Sequence, residues 1–147
     1  MNYRKIISLY QILCMFYGLW MLIYILSGIG YDFLNVLLAS PFIVLFIMLG
    51  VAGYLLMENK KYGSKLSIVL QSIQIVQFSI LGFQFKFGAG CGIIVGLKNE
   101  LMNLTVNFIP IYAEANWEIN HGNDFYLYIN IVPIFIIYLL SKTAIKE

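Results

Sequence analysis

The chain has 147 residues, of which 61% are hydrophobic and only 11% charged, with a mean hydropathy of +0.85. A soluble domain carries about 25% charged residues, so this composition excludes a surface built for water and points to an integral membrane protein. The net charge of +2 comes without a basic patch or stripe, which excludes nucleic-acid recognition.

Arg4 and Lys5 precede the first apolar run, residues 6–27, which is long enough to cross roughly 30 Å of hydrocarbon. Its flanks mimic a secretory signal, but no small-residue cleavage site follows. Bulky Ile12 and Leu13 precede Cys14, where lipoprotein processing wants small residues. An uncleaved helix is expected, ending where Ser27, Gly28 and Gly30 break the pattern. After a short link containing Asp32, a second span covers residues 34–57. Its start has two readings: Leu34 with a kink at Pro41, or Ser40 as N-cap with Pro41 in the first helical position. A polar turn over 58–64 leads to a third span at 65–82. Ser67, Gln71, Gln74 and Gln77 recur there every three or four residues and share one drifting helical face. Lipid offers amides no partners, so this face points at other helices, with Tyr10, Gln11 and Tyr17 as counterparts. Interhelical glue is the plain reading, and a path for a polar solute is the sharper one.

From Phe83 the period changes to two. Phe83, Phe85, Phe87, Ala89, Cys91, Ile93, Val95 and Leu97 line one face, while Gly88, Gly90, Gly92 and Gly96 leave much of the other bare. Such glycines mark a bend, a bulge or a close approach. Residues 104–119 and 125–129 also alternate and flank a turn at 120–124, which reads as a hairpin. Tyr126 and Tyr128 are placed to cover the glycine face. The last span, 130–145, has Asn130 as cap and Pro133 in its first turn, where proline costs little.

Seven of the nine Lys and Arg residues (Arg4, Lys5, Lys60, Lys61, Lys65, Lys142 and Lys146) then fall on one side of the membrane, leaving Lys86 and Lys98 on the other. Cytoplasmic loops are enriched in Lys and Arg. The expected architecture is a single membrane domain over residues 1–147: a four-transmembrane-helix bundle, both termini inside, with a small extracytoplasmic antiparallel β-meander at 83–129 between helices 3 and 4. Preference for Lys over Arg and richness in Ile, Asn, Phe and Tyr suggest an AT-rich genome and a bacterial cytoplasmic membrane.

Candidate sites are sparse. Glu118, His121 and Asp124 sit within one turn and are the only metal-ligand grouping, though solvated turn residues are the duller account. Gly88 to Gly92 does not follow a strand into a helix as phosphate loops do, so a structural role is expected. Cys14 and Cys91 fall at different depths, too far apart for a disulfide, and show no zinc, haem or redox spacing. No cofactor is implied. No acid or histidine lies inside a predicted span, as proton-coupled transport usually requires, and no Ser or Cys is tied to a base. The Asn103-Leu104-Thr105 sequon matters only in a eukaryotic secretory pathway. Tyr112, Trp117, Tyr126 and Tyr128 form an aromatic external patch suited to an interface. These features point to a non-enzymatic membrane protein that acts by binding, as a small subunit, scaffold or receptor-like partner of a membrane complex. Its expected partners are the lipid bilayer and a protein or a second copy of itself. The alternatives are an oligomeric channel or carrier lined by the glutamine face, and an extracytoplasmic lipid- or metal-dependent enzyme using His121.

Overall fold

Tyr3–Ile29 forms α1 and Phe33–Met57 forms α2, in a computed structural model that describes residues 3–98, 103–119 and 125–144. At 1.5 Å per residue these helices are about 40 and 37 Å long. Both are long and apolar enough to cross a membrane. The start of α2 follows the longer of the two readings: Asp32 caps it, accepting the Asn35 N–H at 2.8 Å, and Pro41 lies inside the helix. Proline there withholds the N–H that the Leu37 carbonyl would receive. The Ser40 hydroxyl donates to that carbonyl instead, at 2.8 Å.

The expected four-transmembrane-helix bundle is incorrect. Among the described residues only α1 and α2 are candidate spans by length and composition. The third helix, α3, is Lys61–Ile73 and the fourth, α4, is Ile131–Ala144. At about 20 and 21 Å they fall short of roughly 30 Å of hydrocarbon. The predicted third span breaks after Gln74, and its second half becomes a strand, β1, at Val76–Ile80. Val76, Phe78 and Ile80 are β-branched or aromatic and alternate with Gln77 and Ser79, which suits a pleated strand. Burial runs against the usual sense: Gln77 and Ser79 are buried while Val76 and Ile80 are exposed. The same inversion marks α1, where Ser8 and Gln11 are buried and Leu9, Leu13, Phe16 and Trp20 are exposed.

The remaining strands are β2 (Phe83–Lys98), β3 (Asn103–Ile119) and β4 (Tyr126–Asn130). They do not form the expected three-stranded meander. The sheet has four strands in the order β1-β4-β2-β3, and β4 pairs with β2 and β1 rather than with β3. Gly96 makes this possible, since any side chain there would strike the Leu127 carbonyl and Tyr128. α3–β1 and β4–α4 therefore run side by side in opposite directions, through the α3–α4 contact and the β1–β4 ladder. Each joins a short helix to about 17 Å of strand.

β2 cannot be straight. β1 is antiparallel to its start (Phe78↔Phe85) and to β4 (Phe78↔Leu127), and β4 is antiparallel to its end (Val95↔Ile129). Three mutually antiparallel neighbours do not fit in a flat sheet, so β2 reverses its course between Phe85 and Ile94. Gly88, Gly90 and Gly92 sit in that interval. Gly90 has φ of +107°, and β3 bulges opposite it, with Pro110 and Ile111 facing Cys91 alone.

The sheet packs on α1 and α2. Phe87 is fully buried with its ring centroid 6.2 Å from Phe42 and 5.2 Å from Phe46. These are ordinary separations for aromatic pairs in a core. Cys14, Leu22, Leu49, Ala52, Leu70 and Ala89 complete this cluster, and a second one joins Ile7, Leu56, Ile136 and Leu140. Within the predicted apolar face of β2, only Phe87 and Ala89 of the residues up to Cys91 are buried; Phe83 and Cys91 are exposed.

Candidate functional site

Helical spacing puts Ser8 and Gln11 on the inward face of α1, and Ser64, Ser67 and Gln71 on that of α3. The two faces meet. Arg4 Nη2 donates to Ser64 Oγ at 2.9 Å, Ser67 Oγ donates to Gln11 Oε1 at 2.9 Å, and Ser8 Oγ donates to the Gly53 carbonyl of α2 at 2.6 Å. Polar side chains thus form a buried seam along α3, jacketed by apolar residues. The predicted Ser67–Gln71–Gln74–Gln77 face is this seam, with every member at most 1% exposed. Only Ser67 and Gln71 lie on α3 itself; Gln74 caps its C-terminus and Gln77 belongs to β1.

The seam continues along an uncovered edge of β2. One edge of that strand is paired throughout by β3. The other is paired by β1 only at residues 83–85 and by β4 only at 94–98. Side chains take the place of a strand between these points. Gln74 Oε1 accepts the Ala89 N–H at 3.0 Å. The Tyr10 hydroxyl donates to the Ala89 carbonyl at 3.3 Å and accepts the Cys91 N–H at 3.2 Å. Asn130 Oδ1 accepts the Ile93 N–H at 3.3 Å and the Val132 N–H at 3.2 Å, so the predicted cap of α4 also closes the sheet. Asn130 Nδ2 donates to the Tyr112 hydroxyl at 2.6 Å. Buried backbone groups are almost always paired, and here amides and phenols supply what the sheet does not.

This arrangement leaves capacity over. Gln11 Nε2, Gln71 Nε2 and Oε1, Gln74 Nε2 and Gln77 Nε2 are buried with no hydrogen-bond partner among the described residues. Buried polar groups of this kind are met by water or by a bound molecule.

The aromatic interface candidates are divided. Tyr112 and Tyr126 are buried, Trp117 is 43% exposed and Tyr128 half-buried. Tyr112 packs against Gly88 and Gly92, the bare face assigned to Tyr126 and Tyr128, whereas Tyr128 packs against Gly96. Trp117 Nε1 donates to the Leu38 carbonyl at 3.3 Å, and Tyr126 stacks on Tyr128 and beneath the Lys86 ammonium, 5.0 Å from the ring centroid. Burial pushes the Tyr112 phenol above its ordinary range, with the Glu114 charge adding to the shift and the Asn130 bond opposing it. Burial, then Glu114, moves Tyr126 the same way. What is left for a partner is β3. Its outer edge is unpaired among the described residues, and Leu104, Val106, Phe108 and Ile111 are 65–71% exposed.

Of the metal candidates, Glu118 is exposed, and His121 and Asp124 lie outside the described residues. Among the described residues no three His, Cys, Asp or Glu side chains converge. Cys14 and Cys91 are free thiols, but they are not remote from one another. Both line a groove of about 380 Å³ with Tyr10, Leu13, Tyr17 and Ile111, because the reversal of β2 returns Cys91 to α1. The double role of Tyr10 had no signal in the sequence beyond its place next to Gln11.

No family model, curated protein or solved structure matches the chain.

Proposed function

We propose that the chain is a non-enzymatic integral membrane protein that acts by binding, as a small subunit of a membrane complex, and that β3 is its docking edge. One observation carries this reading: a strand of 17 residues whose outer edge has no partner among the described residues and which exposes Leu104, Val106, Phe108 and Ile111. An open edge is a template for another strand, and strand addition is a common mode of recognition. Hydrocarbon cannot satisfy such an edge, so a protein strand is the occupant that suits it. The inverted burial of α1 supports a membrane location, with α1 and α2 crossing. The Lys and Arg residues at the start of α1 and between α2 and α3 support a cytoplasmic N-terminus, and composition supports a bacterial cytoplasmic membrane. Purification in mild detergent, with Phe108→Cys carrying a photo-crosslinker, tests the proposal. A partner protein captured at position 108 is expected. Capture of a second copy would make the edge a homo-oligomer interface, and a monomer without adducts would overturn the docking role.

The unmatched amides of the seam favour a second reading, a carrier for a polar solute. Solute flux in liposomes that is lost on Gln74→Leu would support it, and equal flux in empty liposomes would exclude it.

A further inference from the structure

We propose that Gln11, Gln71 and Gln74 form an occluded binding site for a small uncharged molecule that both donates and accepts hydrogen bonds, namely water or a neutral amide or alcohol of similar chemistry. The site belongs to the seam of the carrier reading but does not require transport.

Three buried amides follow one another along the seam. Gln11 is held to Ser67 through Oε1, Ser67 and Gln71 are one turn apart on α3, and Gln74 follows three residues on. Gln74 is oriented unambiguously, because its Oε1 faces a backbone N–H and its Nε2 must therefore point elsewhere. Gln71 has both amide atoms unmatched at 1% exposure, so turning it over changes nothing. The site thus presents N–H groups from Gln71 and Gln74 and the Gln71 carbonyl, with Gln11 able to turn either amide atom inward because its Ser67 partner both donates and accepts.

That balance selects the ligand. An anion would satisfy the N–H groups but leave the Gln71 carbonyl unmet. A cation would leave the Gln71 and Gln74 N–H groups unmet. Either ion would also be buried without a counter-charge, which is costly: Arg4 engages Ser64, about 10 Å from Gln71 along α3. A molecule with an acceptor atom and an N–H or O–H group meets both requirements. The three side chains are at most 1% exposed.

Selective ¹⁵N-glutamine labelling of the full chain in detergent micelles gives a direct test, because its five glutamines include Gln84, which lies on β2 outside the seam, as an internal control. The probe is acetamide, with water observed in parallel. Nuclear Overhauser contacts from water to the side-chain amides of Gln11, Gln71 and Gln74 are expected. If a neutral solute binds, acetamide shifts these resonances saturably and leaves Gln84 in place, and Gln71→Leu removes the response at Gln74. Water contacts without an acetamide response identify water as the occupant, still within the proposal. The absence of both in the unmodified chain would overturn it and leave the amides satisfying one another. A saturable response to chloride, but not to acetamide, would overturn the uncharged assignment.

Discussion

Gln74 Oε1 stands 3.0 Å from the Ala89 nitrogen, in the stretch of β2 that neither β1 nor β4 covers. The residue that caps α3 therefore also serves as a fragment of missing strand. Gln74→Leu keeps the volume but leaves a buried N–H unmatched, a loss of about 1–3 kcal/mol. Chemical unfolding in detergent should show that loss. Gln84→Leu, on a half-buried site of the same sheet, should change stability far less.

Phe87 joins the sheet to the helices. Phe87→Ala removes a ring in contact with Phe42 and Phe46 and should cost about 3–5 kcal/mol. Phe83 has the same place in the strand period but is 40% exposed. Phe83→Ala should be tolerated, and equal losses in the two variants would refute the packing of β2 on α2.

Ser40 and Pro41 form a matched pair. Ser40→Ala leaves the Leu37 carbonyl with neither the N–H that Pro41 lacks nor the hydroxyl that replaces it, at about 1 kcal/mol. In a Pro41→Ala background the helix can supply its own N–H, so the effect of Ser40→Ala should largely disappear. A double-mutant cycle measures this coupling.

Tyr112 makes the protein sensitive to alkali. Its phenol titrates above the ordinary value of about 10 in the folded state. Between the unfolded and folded values the unfolded chain holds fewer protons, so stability is fully present below about pH 10 and is lost as pH rises through the folded value. Tyr112→Phe should raise the pH of alkaline unfolding, followed by far-UV circular dichroism, while lowering stability at neutral pH through loss of the Asn130 bond. Tyr126 has a buried hydroxyl without a partner among the described residues. Tyr126→Phe should raise the alkaline midpoint with no loss at neutral pH.

Some of this was legible in the residues. The outer helices follow the apolar runs closely, and Asn130 caps α4 where its position before Pro133 implied. The glycines of β2 marked a bend and a bulge. The end of α3 was hidden because Gln71, Gln74 and Gln77 keep helical spacing past the break. The alternation of Val76, Phe78 and Ile80 spans only five residues, and its exposed side is the apolar one. The polar seam was visible as a face of glutamines, but its work on β2 was not. Gln74 and Ala89 are 15 residues apart and Tyr10 and Cys91 are 81 apart, so no local pattern links them.

By itself, the sequence determined an apolar composition unsuited to water and two helices long enough to cross a membrane, because a helix closes its hydrogen bonds four residues away. Only the tertiary structure decided which strands pair, where β2 reverses and which side chains stand in along its bare edge. A strand has no partner within its own segment, and its choice depends on where Gly90 can bend and what Gly96 lets approach. With β4 drawn to β2 rather than β3, the long outer strand keeps an edge that is open among the described residues, and the seam of amides is buried.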